Sequence, residues 1–258
     1  MFAVIFAAIL LLHWPLLRLP YFWDEAGYYI PAARDLLLTR SAIPHSSPSN
    51  AHPPLVMAYL ALSWKLTGYS PLVTRTAMLL LAAFSLLGVF RLARRIASLE
   101  VAVAATACTA FYPVFFAQSS MAHVDLAAAG LTLWGLNAYL AGRWRAVTLW
   151  FSLAVLAKET ALLAPLALLA WEWASASHHR VTETPRNSES EDQKAFSVPL
   201  CLRGERLGRR WQPAASLITP AAVLSVWYAY HYAKTGYVFG NPEFFRYNVA
   251  ATLSPLRI

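Results

Sequence analysis

Asp24 and Glu25 stand side by side in the segment Trp23-Asp-Glu-Ala-Gly-Tyr-Tyr29, about one helical turn before Tyr28 and Tyr29. Carboxylates beside phenols suit general acid–base work on a hydroxyl or an amine. Neighbouring residues on a helix point in different directions, so only one of the two carboxylates need face a site. Asp24 is equally suited to cap the helix that follows it, and a cap can also be catalytic. Farther along, His52 precedes Pro53-Pro54, Asp125 follows the polar run Gln118-Ser-Ser-Met-Ala-His123, and Lys158-Glu159 interrupts a long apolar stretch. Each has a plain structural reading beside the chemical one: a turn at His52, a polar contact at His123, an interfacial cap at Asp125, a snorkelling pair at Lys158-Glu159. Charged groups at or near membrane depth nevertheless point to function by default.

The elements that must position these residues are apolar. The chain has 258 residues, 58% of them hydrophobic and 13% charged, about half the usual ~25% charged. Ten Trp, twelve Tyr and thirteen Phe suit rings placed at two membrane interfaces. The net charge of +8 comes mostly from basic residues in short loops between apolar runs. Topology explains it, and nucleic acid is excluded because no basic stripe has a folded domain of its own. Cys108 lies in an apolar run and Cys201 in a charged loop, so neither a disulfide nor a zinc site is expected.

Taken in order, Met1 to Pro20 predicts an uncleaved spanning helix, since a signal peptide would want a basic start and a small-residue cleavage site. Tyr21 to Pro54 is the first outer loop. It holds two short interfacial helices, Asp24 to Ile30 and Pro31 to Leu38, separated by the proline. Pro53 to Leu66 is a second interfacial or re-entrant helix ending at Gly68. Spans follow at Leu72 to Phe90, Val101 to Phe116 and Asp125 to Leu140. Ala146 to Trp173 is expected as two short tilted pieces with a turn at Lys158-Glu159, because a mid-bilayer charge costs roughly 2.5–3.5 kcal/mol. Ser175 to Gln212 is a hydrophilic insert expected to be disordered and cytoplasmic, and Pro213 to Tyr232 is the last span before an outer tail. The fold expected is therefore all-α, a polytopic transmembrane bundle of about seven spans. Residues 1–174 form the main module, 175–212 the insert, and 213–258 a further span and tail. With Arg91, Arg94, Arg95, Arg143 and Arg145 inside, four polar segments fall on the outer side. They are the first loop, Ser119 to Asp125, the Lys158-Glu159 turn and the tail after Lys234.

Trp-Asp-Glu-Ala-Gly-Tyr-Tyr, then His52-Pro-Pro-Leu, then Gly68-Tyr-Ser-Pro-Leu with Arg75 opening the next helix, resemble the GT-C membrane glycosyltransferases. The protein O-mannosyltransferase-like branch is the most similar, a group that includes lipid A aminoarabinose transferases and lipopolysaccharide galacturonosyltransferases. Phe115 to Trp134 and Phe151 to Leu169 resemble later helices of that family, and Trp227 to Asn248 is a weaker likeness. The resemblance implies inverting transfer of a sugar from a polyprenyl-phosphate donor to a lipid, glycan or protein acceptor. It places the active site on the periplasmic side of the inner membrane. Asp24 would be the general base, Glu25 its support or a metal ligand, and Asp125 a second acidic residue. His52, Lys158, Arg75 and Tyr28 would bind substrate and the lipid phosphate. A divalent metal bridging Glu25, Asp125 and phosphate is chemically sensible. Relatives of this kind continue well past the position of Ile258, so the chain is expected to be C-terminally truncated, half of a split protein, or inactive alone. The readings from other classes are a transporter or flippase-like module and a non-catalytic fragment that retains donor-lipid binding.

Overall fold

The computed structural model describes residues 1–178 and 211–246, and every regular element among them is helical. Helix α1 (Phe2–His13) runs into a 3₁₀ turn at Trp14–Leu16, where Pro15 removes a backbone donor. A single π turn, Glu25–Tyr29, leads directly into α2 (Ile30–Thr39), with Pro31 in the first turn of α2 as expected. Next come α3 (Leu55–Thr67), stopped by Gly68 at φ 91°, and α4 (Pro71–Ile96). Ser70 caps α4 by accepting from Val73 N at 3.3 Å, Pro71 sits in its first turn, and Arg94 and Arg95 close its last turn.

Pro113 breaks the next apolar run into α5 (Leu99–Phe111) and α6 (Pro113–Gln118). Helix α7 (Asp125–Leu140) is followed by α8 (Trp144–Ala157), a 3₁₀ turn at Glu159–Leu162, α9 (Leu163–His178), α10 (Trp211–Thr235) and a short α11 (Pro242–Phe245). The break expected at Lys158-Glu159 is present: Lys158 is extended, φ −153° and ψ 132°.

Helix α7 is central, packed between α4 and α8, while α10 covers α8, α1 and α5 lie along α4, and α2 lies on α3. Small residues let the helices approach closely. A Cβ on Gly130 of α7 would fall 1.9 Å from Ser85 Oγ of α4. Leu60, Met78, Ala33, Val124 and Ala154 are fully buried in the main core, which also takes in Tyr29 and Ile30 at the end of the π turn. The π turn is thereby anchored to α3, α4, α7 and α8.

By length and apolarity one helix among the described residues, Pro71–Ile96, can cross a membrane, while Phe2–Leu16, Leu55–Thr67, Leu99–Phe111 and Trp144–Ala157 are apolar but shorter. The count of about seven spans is not reproduced. Pro15, Pro113 and the Lys158-Glu159 turn cut the apolar runs into pieces shorter than the ~20 residues a crossing needs. Helix α5 does present an apolar surface outward: Leu99, Val101, Val103 and Phe111 are exposed, and only Ala102 is buried. Most of the 175–212 insert, including Cys201, and the tail beyond Arg246 lie outside the described residues.

Candidate active site

The two adjacent carboxylates of the π turn divide. Trp23, at φ 53°, turns the chain, and the wider π spacing follows, a feature found mostly at functional sites. Glu25 points inward and is fully buried; its Oε1 and Oε2 accept from Arg75 Nη1 at 2.5 Å and Nη2 at 2.9 Å. Ala122 N donates to the same carboxylate at 2.6 Å, and Arg75 also donates to Ser120 O at 2.9 Å and Pro20 O at 3.0 Å. Arg75 lies 5.6 Å from the centre of the Tyr21 ring. Both Glu25 oxygens and both terminal nitrogens of Arg75 are engaged, the condition under which such a buried pair persists. It ties the first loop to α4 and to the junction before α7.

Asp24 points the other way. It stands at the cap position of the π turn, but its carboxylate makes no capping hydrogen bond and no ion pair with the described residues. It lines a cleft of about 550 Å³ with Tyr28, Tyr29, His52, Asn50 and Glu243 among the walls.

Tyr29, a neighbour of the carboxylates in sequence, is the centre of the site. Its ring stacks on His52, centroids 6.2 Å apart at 21°, and lies 5.6 Å from His123. Burial raises the Tyr29 phenol's pKa, and the negative charges of Asp125, Asp24 and Glu159 raise it further. The Tyr28 phenol is pushed up to about 12 by burial, which outweighs the Asn50 and Ser49 contacts. Both phenols stay protonated at any working pH and can donate.

Lys158 and Glu159 do not form a pair at a turn. Because Lys158 is extended where α8 ends, Lys158 Nζ reaches Asp125 Oδ1 at the start of α7, 2.5 Å away, and Glu159 Oε2 accepts from His52 Nδ1 at 2.9 Å. Burial disfavours the Glu159 charge, but the His52 hydrogen bond and charge, with Lys158, prevail and lower its pKa. The Lys158–Asp125 pair keeps solvent access, with side chains 25% and 44% exposed.

Asp24, Tyr28 and His52 therefore meet at the cleft, with Asp125 and Lys158 grouped behind Tyr29, and all four polar segments converge at one end of the bundle. Glu25 and Arg75 are not brought to the cleft; they form the buried pair beneath it. Nor do Glu25 and Asp125 fit a divalent ion, since each already faces a cation of the chain. Among the described residues no three His, Cys, Asp or Glu side chains converge as metal ligands. At the opposite end Arg95 Nε donates to Asn137 and Arg91 lies 5.2 Å over the Trp134 ring.

Among the described residues every element is helical, one helix is long and apolar enough to cross a membrane, and a polar, carboxylate-bearing cleft lies at one end of the bundle. Residues 51–186 match the model of the dolichyl-phosphate-mannose-protein mannosyltransferase family, more than half of the chain, and the chain belongs to that family of membrane glycosyltransferases. The matched segment holds His52, Arg75, Asp125, Lys158 and Glu159, whereas Asp24 and Glu25 precede it. No curated protein and no solved structure matches the chain.

Proposed function

We propose that the cleft at Asp24 is where a sugar leaves a polyprenyl-phosphate carrier for a lipid, glycan or protein acceptor, at the periplasmic face of the inner membrane. One observation carries the reading. Of the two adjacent carboxylates, Asp24 has no partner among the described residues and opens to the cleft, while Glu25 is sealed against Arg75. An unpaired carboxylate at a cleft is available as a general base.

In the reaction Asp24 takes the proton from the acceptor's hydroxyl or amine. The freed lone pair forms a bond to the anomeric carbon from the face opposite the phosphate. The bond from that carbon to the phosphate oxygen breaks, its electrons leave on the polyprenyl phosphate, and the configuration inverts. Lys158, paired with Asp125 outside the cleft lining, is the cation assigned to the departing charge. Tyr29, protonated and packed against His52, offers a hydroxyl to the site. Glu25 and Arg75 position the π turn and take no part in the chemistry. No step needs a metal.

The test is a panel of polyprenyl-phosphate sugars, polyprenyl-phosphate mannose first, given to the purified protein in lipid nanodiscs. Release of free polyprenyl phosphate from at least one donor is expected. No donor consumed, with folded protein confirmed, would reject the enzyme reading.

A further inference from the structure

The cleft's far wall comes from a part of the chain outside the segment that matches the family. After α10 ends at Thr235, the chain turns at Gly236 and Gly240 and brings Asn241 and Glu243 onto the cleft opposite the π turn. A latch holds this arm in place. His231 is fully buried, its Nδ1 donates to Tyr237 O at 2.7 Å, and the ring's other nitrogen shares a hydrogen bond of 2.8 Å with Ser49 Oγ. A carbonyl only accepts, so Nδ1 carries the proton and a neutral ring's Nε2 accepts from the Ser49 hydroxyl. Asn241 N donates to Ser49 O at 2.8 Å, and Trp227 Nε1 donates to Ala51 O at 2.9 Å. The arm and the loop that carries His52 are thus fastened to each other.

The cleft's charge is one-sided. Asp24 and Glu243 both line it, and among the described residues neither carboxylate has a partner and no Lys or Arg is in the lining. His52, the imidazole among the described lining residues, is committed to Glu159. Ser47 lines the same wall, and its own hydroxyl is buried without a hydrogen-bond partner among the described residues. A donor's phosphate would be repelled from these walls and drawn to the Lys158 side. Hydroxyl and ammonium groups would be welcomed.

We infer that Asn241 and Glu243 form the acceptor-side wall of the cleft, and that Glu243 selects acceptors carrying a neutral polyhydroxyl or an amino-bearing group over anionic ones. The inference rests on the proposed sugar-transfer reading and names the acceptor class for that site.

Binding tests it without requiring turnover. Glucosamine, glucose and glucuronate are titrated calorimetrically into the full chain in nanodiscs, native and Glu243→Gln. Glucosamine should bind tightest and glucuronate weakest. Glu243→Gln should weaken glucosamine about three- to fivefold, as for an exposed charge pair, and leave glucose unmoved. Asn241→Ala should weaken glucosamine and glucose together. Equal binding of the three, binding of none, or no response to Glu243→Gln overturns the inference. So does weakened binding of polyprenyl phosphate in Glu243→Gln, which would give the wall to the donor. Failure of every donor to react would reject the sugar-transfer reading while leaving these affinities as they stand.

Discussion

Asp24 and Glu25 are consecutive in the chain, yet Asp24 opens onto the cleft without a partner among the described residues and Glu25 is sealed against Arg75 with no solvent exposure. One carboxylate is left free for chemistry and the other fixes the turn that presents it. Substitutions at the two positions should therefore fail in opposite ways.

Asp24→Asn keeps the shape of the side chain and removes the proposed base. Sugar transfer should fall about 10²- to 10⁴-fold, while the thermal midpoint stays close to native, because an exposed and unpaired carboxylate supports little of the fold. Transfer assayed beside thermal unfolding checks both halves. Full activity in Asp24→Asn would remove Asp24 from the role of base.

Glu25→Gln strands Arg75 in the core. Breaking a buried pair by removing one partner costs roughly 3–5 kcal/mol, so the variant should lose a large share of its stability before any effect on transfer can be read. Replacing both partners, Glu25→Gln with Arg75→Met, should recover part of the loss. Thermal or denaturant unfolding of the three variants measures it, and additive losses would show that the pair is not coupled.

How much of this was legible in the sequence follows from the range over which each contact acts. The breaks at Gly68 and Lys158-Glu159 and the helix Asp125–Leu140 were readable because local backbone chemistry sets them, whereas Pro31 sits in the first turn of a helix that continues the π turn without a break. So was the opposed facing of Asp24 and Glu25. The span count was not, since apolar composition continues through Pro15 and Pro113 where helical length does not. The partner of each charge was hidden as well. Glu25 meets Arg75 fifty positions away and His52 meets Glu159 across the bundle, distances over which sequence order carries no signal. Tyr29 could have been found from the doubled tyrosine after the carboxylates; nothing marked His231 or Asn241.

Lys158→Met tests the leaving-group cation. Its pair with Asp125 is partly solvent-exposed, and such pairs contribute only about 0–1 kcal/mol to stability. Stability should hardly move. The rate of transfer at saturating donor should fall by about 10²- to 10³-fold, as when one preorganised charge is removed from a transition state. Lys158→Arg should restore part of it. Steady-state kinetics with polyprenyl-phosphate mannose separates this outcome from a loss of donor affinity alone.

The His52–Glu159 contact gives a pH signature. Burial opposes the Glu159 charge, but His52 and Lys158 lower its folded pKa below the unfolded value of about 4.3. Its stabilising contribution is therefore present above that unfolded value and is lost as pH falls through the lower folded one. Native protein should lose stability below about pH 4.3 more steeply than Glu159→Gln. Unfolding midpoints followed from pH 6 downward test this, and parallel profiles would refute it.

Gly240 sets the latch between the C-terminal arm and the cleft loop. Its φ of +88° suits glycine, and a Cβ there would stand 2.8 Å from Ser49 O and 2.9 Å from Asn50 C, both backbone atoms that cannot swing aside. Gly240→Ala must therefore push the arm away from the loop. The Asn241 amide that donates to Ser49 O should then exchange its hydrogen faster, by about fivefold or more for each ~1 kcal/mol of latch strength lost. Helices α4 and α7 should keep their protection, since the arm lies outside their packing. Hydrogen exchange read by mass spectrometry over residues 236–246 and 47–52 measures both regions at once. Unchanged exchange at Asn241 would show that the arm is held by something other than the turn at Gly240.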